Sequence, residues 1–153
     1  MTENELSILT ESGVFKGLEA EKIKPLLNDY TLKKICCKKG ELIAFQGDAY
    51  KDLLIVLEGT VSSDLSDPGC KRVKLKNFNN SAAIAPGVLF ARDKILPVTL
   101  TAVTDCTLLC IPKEKMLSIL QSDRICLENY LALLGNKVNI LADKIRLFKF
   151  SSI

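Results

Sequence analysis

Leu53-Leu54-Ile55-Val56-Leu57-Glu58-Gly59-Thr60-Val61 decides the fold. Its five leading residues form the longest tight apolar run in the 153-residue chain. That is far short of the roughly 20 residues that span a bilayer and matches a buried strand closed by a turn. Glu58-Gly59 ends the strand, and Thr60 to Leu65 starts the return. Similar short segments stand on either side. Upstream, Tyr30, Leu32 and Ile35 open a β segment that runs into a Lys38-Lys39-Gly40 turn; Glu41 to Phe45 follows, then Gln46-Gly47-Asp48. Downstream, Asp67-Pro68-Gly69 is a turn, and Arg72 to Phe78 alternates at Val73 and Leu75 until Asn79-Asn80-Ser81. Val98, Leu100 and Ala102 then alternate with Thr99, Thr101 and Val103, and Thr107 to Ile111 is the last strand. Eight or so short strands with glycine turns, over residues 29–111, predict an antiparallel sandwich, jelly roll or barrel.

Helices flank this block. Over residues 1–28, Thr2 and Glu5 form a capping box ahead of Leu6, Ile8 and Leu9, and Ser12-Gly13 supplies a stop. Leu18, Ile23, Leu26 and Leu27 mark a second helical stretch, in which Pro25 predicts a break or two short turns. Helix returns over residues 112–150, with Pro112 in the first helical position and one long helix over 123–149.

Composition excludes several function classes. With 48% hydrophobic and 25% charged residues the chain is not disordered. It has no histidine, which removes Ser-His-Asp and Cys-His catalysis, histidine-based zinc sites, the usual haem ligand and the metal triad of a cupin-like enzyme. No enzyme is predicted. The start, Met1-Thr2-Glu3-Asn4-Glu5, is acidic and lacks the features of a signal peptide, so the chain reads as cytoplasmic with no membrane partner. A net charge of +3 is too small to announce a nucleic-acid surface; any DNA reading must come from a segment outside this chain. The six cysteines contain no C-x-x-C. Cys36 and Cys37 point to opposite faces of a strand, and Cys106 and Cys110 share a face about 13 Å apart. They read as ordinary buried or half-buried thiols.

Lys39-Gly40-Glu41, Gln46-Gly47-Asp48, Leu54 to Val61 and Thr104-Asp105-Cys106-Thr107-Leu108-Leu109-Cys110-Ile111-Pro112 together resemble the cyclic-nucleotide-binding β-roll. The resemblance covers residues 14–150 and is to the sensor half of a Crp/Fnr-type bacterial transcription regulator, ending at its dimerisation helix and lacking the helix-turn-helix domain. It implies a double-stranded β-helix with a long C-terminal helix. It also implies an effector pocket whose phosphate cassette carries a Gly-Glu pair and an Arg followed by Ser or Thr. In family members the Arg pairs with the cyclic phosphate and the Glu holds the ribose. Here the corresponding stretch, Ile84 to Thr99, contains no Glu, and the Arg-Ser position falls at Leu96-Pro97. cAMP binding is therefore not expected. Arg92 and Lys94, with Leu96, are the ligand-pocket candidates, for an effector that the sequence does not identify. Haem is disfavoured, as is an iron–sulfur cluster, because the N-terminal cysteine cluster of the Fnr branch is missing. The alternative is a stand-alone small-molecule-binding regulatory module without a DNA-binding partner domain.

One pattern needs no family. Leu127, Leu131, Leu134, Val138, Leu141, Ile145 and Phe148 are spaced 4-3-4-3-4-3, a heptad seam with Leu131, Val138 and Ile145 at a and the others at d. This predicts a parallel homodimer. A second stripe, Cys126, Leu133, Ile140 and Leu147, predicts packing of the same helix on its own β-roll.

Overall fold

The computed structural model describes residues 1–28, 32–69 and 71–136. In chain order its elements are α1 (Glu3–Thr10), α2 (Ala20–Leu26), β1 (Lys33–Cys37), β2 (Leu42–Ala44), β3 (Asp52–Glu58), β4 (Val61–Ser66) and β5 (Arg72–Phe78). There follow β6 (Ala83–Ile84), α3 (Pro86–Leu89), β7 (Thr99–Ala102), β8 (Cys106–Pro112) and α4 (Lys113–Ser122). Residues 124–136 form a further helix, α5. The strands make two four-stranded sheets, ordered β1-β8-β3-β6 and β2-β7-β4-β5. Every neighbouring pair is antiparallel. The β-roll read from the turn spacing is the fold observed.

The apolar run in β3 is continuous because both its faces are covered. α1 and α4 lie over β3, and Leu53, Ile55, Val56 and Leu57 are at most 1% exposed. Burying each such side chain is worth about 1.5–3 kcal/mol. β5 is the opposite case. It is an edge strand, exposed from Arg72 to Asn77, so the Val73 and Leu75 alternation faces solvent on both sides. Alternation alone does not say whether the apolar face has anything to cover it.

The capping box forms as read: Thr2 N–H donates to Glu5 Oε1 at 2.9 Å, and Glu5 N–H to Thr2 Oγ1 at 3.1 Å. Pro25 does not split its helix. α2 is one continuous helix that stops one residue past the proline; at seven residues it forfeits a single interior hydrogen bond there, and Leu27 N–H still reaches Ile23 O at 3.1 Å. Pro112 lies one position earlier than expected. It stays in register with Asp52 as the end of β8 and serves as N-cap, leaving Lys113 as the first helical residue. α4 and α5 are separate helices, because Asp123 adopts an extended backbone and its Oδ1 accepts from Cys126 N–H at 3.0 Å, capping α5.

The two described residues of the second stripe face inward. Cys126 is fully buried and Leu133 packs on the core, with Leu133 pressed against Gly13. Val138, Leu141, Ile145 and Phe148, like Ile140 and Leu147, lie outside the described residues.

Burial leaves a mark on the titration of the chain. It pushes the Cys110 thiol up to about 11, with Asp52 adding to the shift, and the Cys126 thiol to about 12, with Asp123 adding. An unfolded thiol releases its proton near 9. Between pH 9 and 11 the unfolded chain thus loses protons that the folded chain keeps, and stability falls as pH rises. The urea midpoint is expected to hold up to about pH 8.5 and then decline, and Cys110→Ala with Cys126→Ala should flatten the decline between pH 9 and 10. An unchanged slope in that double variant would refute the assignment.

Candidate functional site

The stretch expected to correspond to the phosphate cassette, Ile84 to Thr99, runs from β6 through α3 to β7. Ala85, at φ 48°, turns the chain in the left-handed region, and Pro86 opens α3 with its φ already set. This short helix was not foreseen in the sequence. It is pinned to α5 in three ways. Tyr130 Oη donates to Pro86 O at 2.6 Å; the Phe90 and Tyr130 rings meet edge to face at 5.4 Å; and Gly87 lies close under Leu134. On its other side, Tyr50 Oη donates to Ile84 O and accepts from Leu54 N–H at 3.1 Å. Tyr50 and Tyr130 are 4% and 2% exposed. A buried tyrosine hydroxyl requires a partner, which is the one sequence-level signal that could have marked them.

Past α3, the chain pairs with the Gln46-Gly47-Asp48 turn. Leu96 N–H donates to Asp48 O, and Gly47 N–H to Leu96 O, each at 2.8 Å. Tyr50 N–H donates to Lys94 O at 2.7 Å. Thr99 is buried, and its Oγ1 accepts from Gln46 N–H at 3.0 Å.

These contacts fix the candidate residues. Leu96 is 1% exposed, whereas Arg92 and Lys94 are exposed, so the three are not gathered into one pocket. Lys94 instead lies beside Lys113, whose pKa it lowers, and the Lys113 ammonium sits 5.9 Å from the centre of the Phe90 ring. Among the described residues, no buried side-chain nitrogen or oxygen lacks a hydrogen-bond partner, and no group of three or more Cys, Asp or Glu side chains has metal-binding geometry. Of the seam residues, Leu127 and Leu131 are 39% and 58% exposed, while Leu134 packs partly on the core.

The comparisons with known proteins agree with this fold. A transcriptional regulator from Thermotoga maritima is 27% identical, with a TM-score of 0.77 over 86% of this chain and 98% of that one. The catabolite activator protein of Thermus thermophilus has the same fold, at 22% identity and a TM-score of 0.81, over 91% of this chain but only 64% of its own. So has the sensor domain of the regulator DNR from Pseudomonas aeruginosa, at 20% identity and a TM-score of 0.76, with 90% of each chain covered. No curated protein matches the sequence. Residues 34–123, from within β1 to the end of α4 and Asp123, match the cyclic nucleotide-binding domain, and the chain belongs to that family.

Proposed function

We propose that this chain is the sensory and dimerisation part of a Crp/Fnr-type transcription regulator that does not respond to cAMP. The family and fold are those of regulatory binding domains rather than enzymes, and no described helix is long and apolar enough to cross a membrane. In this reading the chain works in the cytoplasm as a homodimer through α5, senses an unidentified small molecule, and acts on DNA through a further domain not in this chain.

The observation that carries the cAMP part is Leu96. Where the family places an arginine, this chain has a buried leucine whose backbone is tied to the Gly47 turn, while Arg92 and Lys94 stay at the surface. A cyclic phosphate buried there without its counter-charge forfeits about 3–5 kcal/mol, roughly two to four orders of magnitude in affinity. Calorimetric titration of the full chain with cAMP is expected to show no binding in the micromolar range. Micromolar or tighter binding would overturn the reading and make Arg92→Ala the next variant.

A further inference from the structure

β1 and β8 set two cysteines side by side. In their register Cys37 stands opposite Cys106, just as Ile35 stands opposite Leu108, so both side chains leave the same face of the sheet. Opposed Cα atoms in an antiparallel pair lie about 4.5–5.5 Å apart, within the roughly 4.4–6.8 Å that a disulfide spans. Opposed Cβ atoms, about 4.5–5.5 Å apart, need only a small closure to the roughly 3.8 Å of a disulfide. Both thiols are free. Cys36 lies opposite Thr107, and Cys110 opposite Lys33 on one side and Leu54 on the other. Among the described cysteines, Cys37 and Cys106 are therefore the one pair that faces across neighbouring strands.

The pair is also reachable. Both residues line a cleft of about 300 Å³. Cys37 is half-buried, and Cys106, at 4% exposure, lies deeper. While reduced, Cys106 is held by its own thiol, whose single proton is shared between Thr104 O at 3.0 Å and Thr60 O at 3.2 Å.

The geometry points to Cys37 and Cys106 as an oxidative modification site that takes a low-molecular-weight disulfide and closes into an intrachain disulfide. The Cys37 thiolate attacks one sulfur of the small disulfide, forming a mixed disulfide and expelling one small thiolate. The Cys106 thiolate then attacks the Cys37 sulfur and expels the second. The two cysteines are oxidised, the small disulfide is reduced to two thiols, and the two protons end on those thiols. Burial raises the Cys37 pKa, with Glu41 and the neighbouring thiols adding to the shift. Lys38, Glu58 and Asp105 face the same cleft. The reaction accordingly quickens as pH rises.

The test uses the full chain with oxidised glutathione. Beyond any glutathione adduct on the exposed Cys36, the thiol count after denaturation is expected to fall by two of the six, with no glutathione retained on Cys37 or Cys106, and dithiothreitol to restore all six. Peptide mapping should join Cys37 to Cys106. Cys36→Ser should behave as wild type, whereas Cys106→Ser should stop at a glutathione adduct on Cys37. A disulfide joining Cys37 or Cys106 to any other cysteine overturns the assignment, as does a persistent glutathione adduct on Cys37 of the wild type or an unchanged thiol count. Should Cys106→Ser not fold, the wild-type peptide map decides alone.

Discussion

Replacing Gly59 by alanine is expected to cost about 3–5 kcal/mol, a large share of the roughly 5–15 kcal/mol that holds a domain folded. Two effects combine at this position. Gly59 has φ +94°, which strains an L side chain by about 1–2 kcal/mol. In addition, a Cβ there would sit 2.3 Å from the Asp105 carbonyl oxygen and 3.0 Å from Cys106 Cα. Both are backbone, so the neighbouring turn must move. That turn is itself bonded: Thr60 N–H donates to Thr104 Oγ1 at 3.0 Å, and Val103 N–H to Thr60 O at 2.9 Å. Gly40 and Gly47 are the internal controls. Each has positive φ but nothing within 4 Å of its Cβ position, so alanine there should cost only about 1 kcal/mol. Urea unfolding of the three variants should put Gly59→Ala well below the other two. Equal midpoints would show that the close approach at Gly59 is not a constraint.

The second large effect concerns association. Leu127→Glu combined with Leu131→Glu should turn a dimer into a monomer of 16.9 kDa by light scattering. The two leucines are exposed on the described part of α5, so glutamate, a good helix former, costs the monomer little. In a parallel pair the same change places four carboxylates in one seam, where like charges have no compensation. Far-UV circular dichroism should stay near wild type, which separates lost association from lost folding. Val138→Glu with Leu141→Glu, further along the seam, should act likewise. A wild type that is monomeric at micromolar concentration, or a double variant that remains dimeric, would falsify the seam.

Residue spacing made the β-roll legible, because its turns use residues that announce themselves. Gly40, Gly47 and Gly59 all mark reversals of direction, and each does have positive φ. The difference between them was not legible: crowding around Gly59 comes from Thr104, Asp105 and Cys106, more than 40 positions away, and no local pattern records it. The cassette shows the same limit. The absence of Glu from residues 84–99 can be read directly, but the environment of Arg92 and Lys94 depends on how the loop pairs with residues 46–50. Tyr50 and Tyr130 do not stand out in the sequence because their partners are backbone carbonyls, Ile84 O and Pro86 O, which leave no trace in side-chain spacing. In α5 Cys126 is buried and its neighbour Leu127 exposed, while Leu134, one of the proposed seam residues, packs against Gly87. A helix with two apolar stripes has shoulders where both meet.

The order of strands in the two sheets also sets a timetable. β1 pairs with β8 and β2 with β7, so the strands made first have their partners made last. Synthesis at about 5–20 residues per second takes roughly 4–15 s to travel the roughly 75 residues from the end of β1 to the end of β8. During that interval β4 and β5, joined by the Pro68-Gly69 turn, can form a hairpin as soon as they are made, while β1 and β2 wait unpaired. Both sheets close together once Thr99 to Pro112 has emerged.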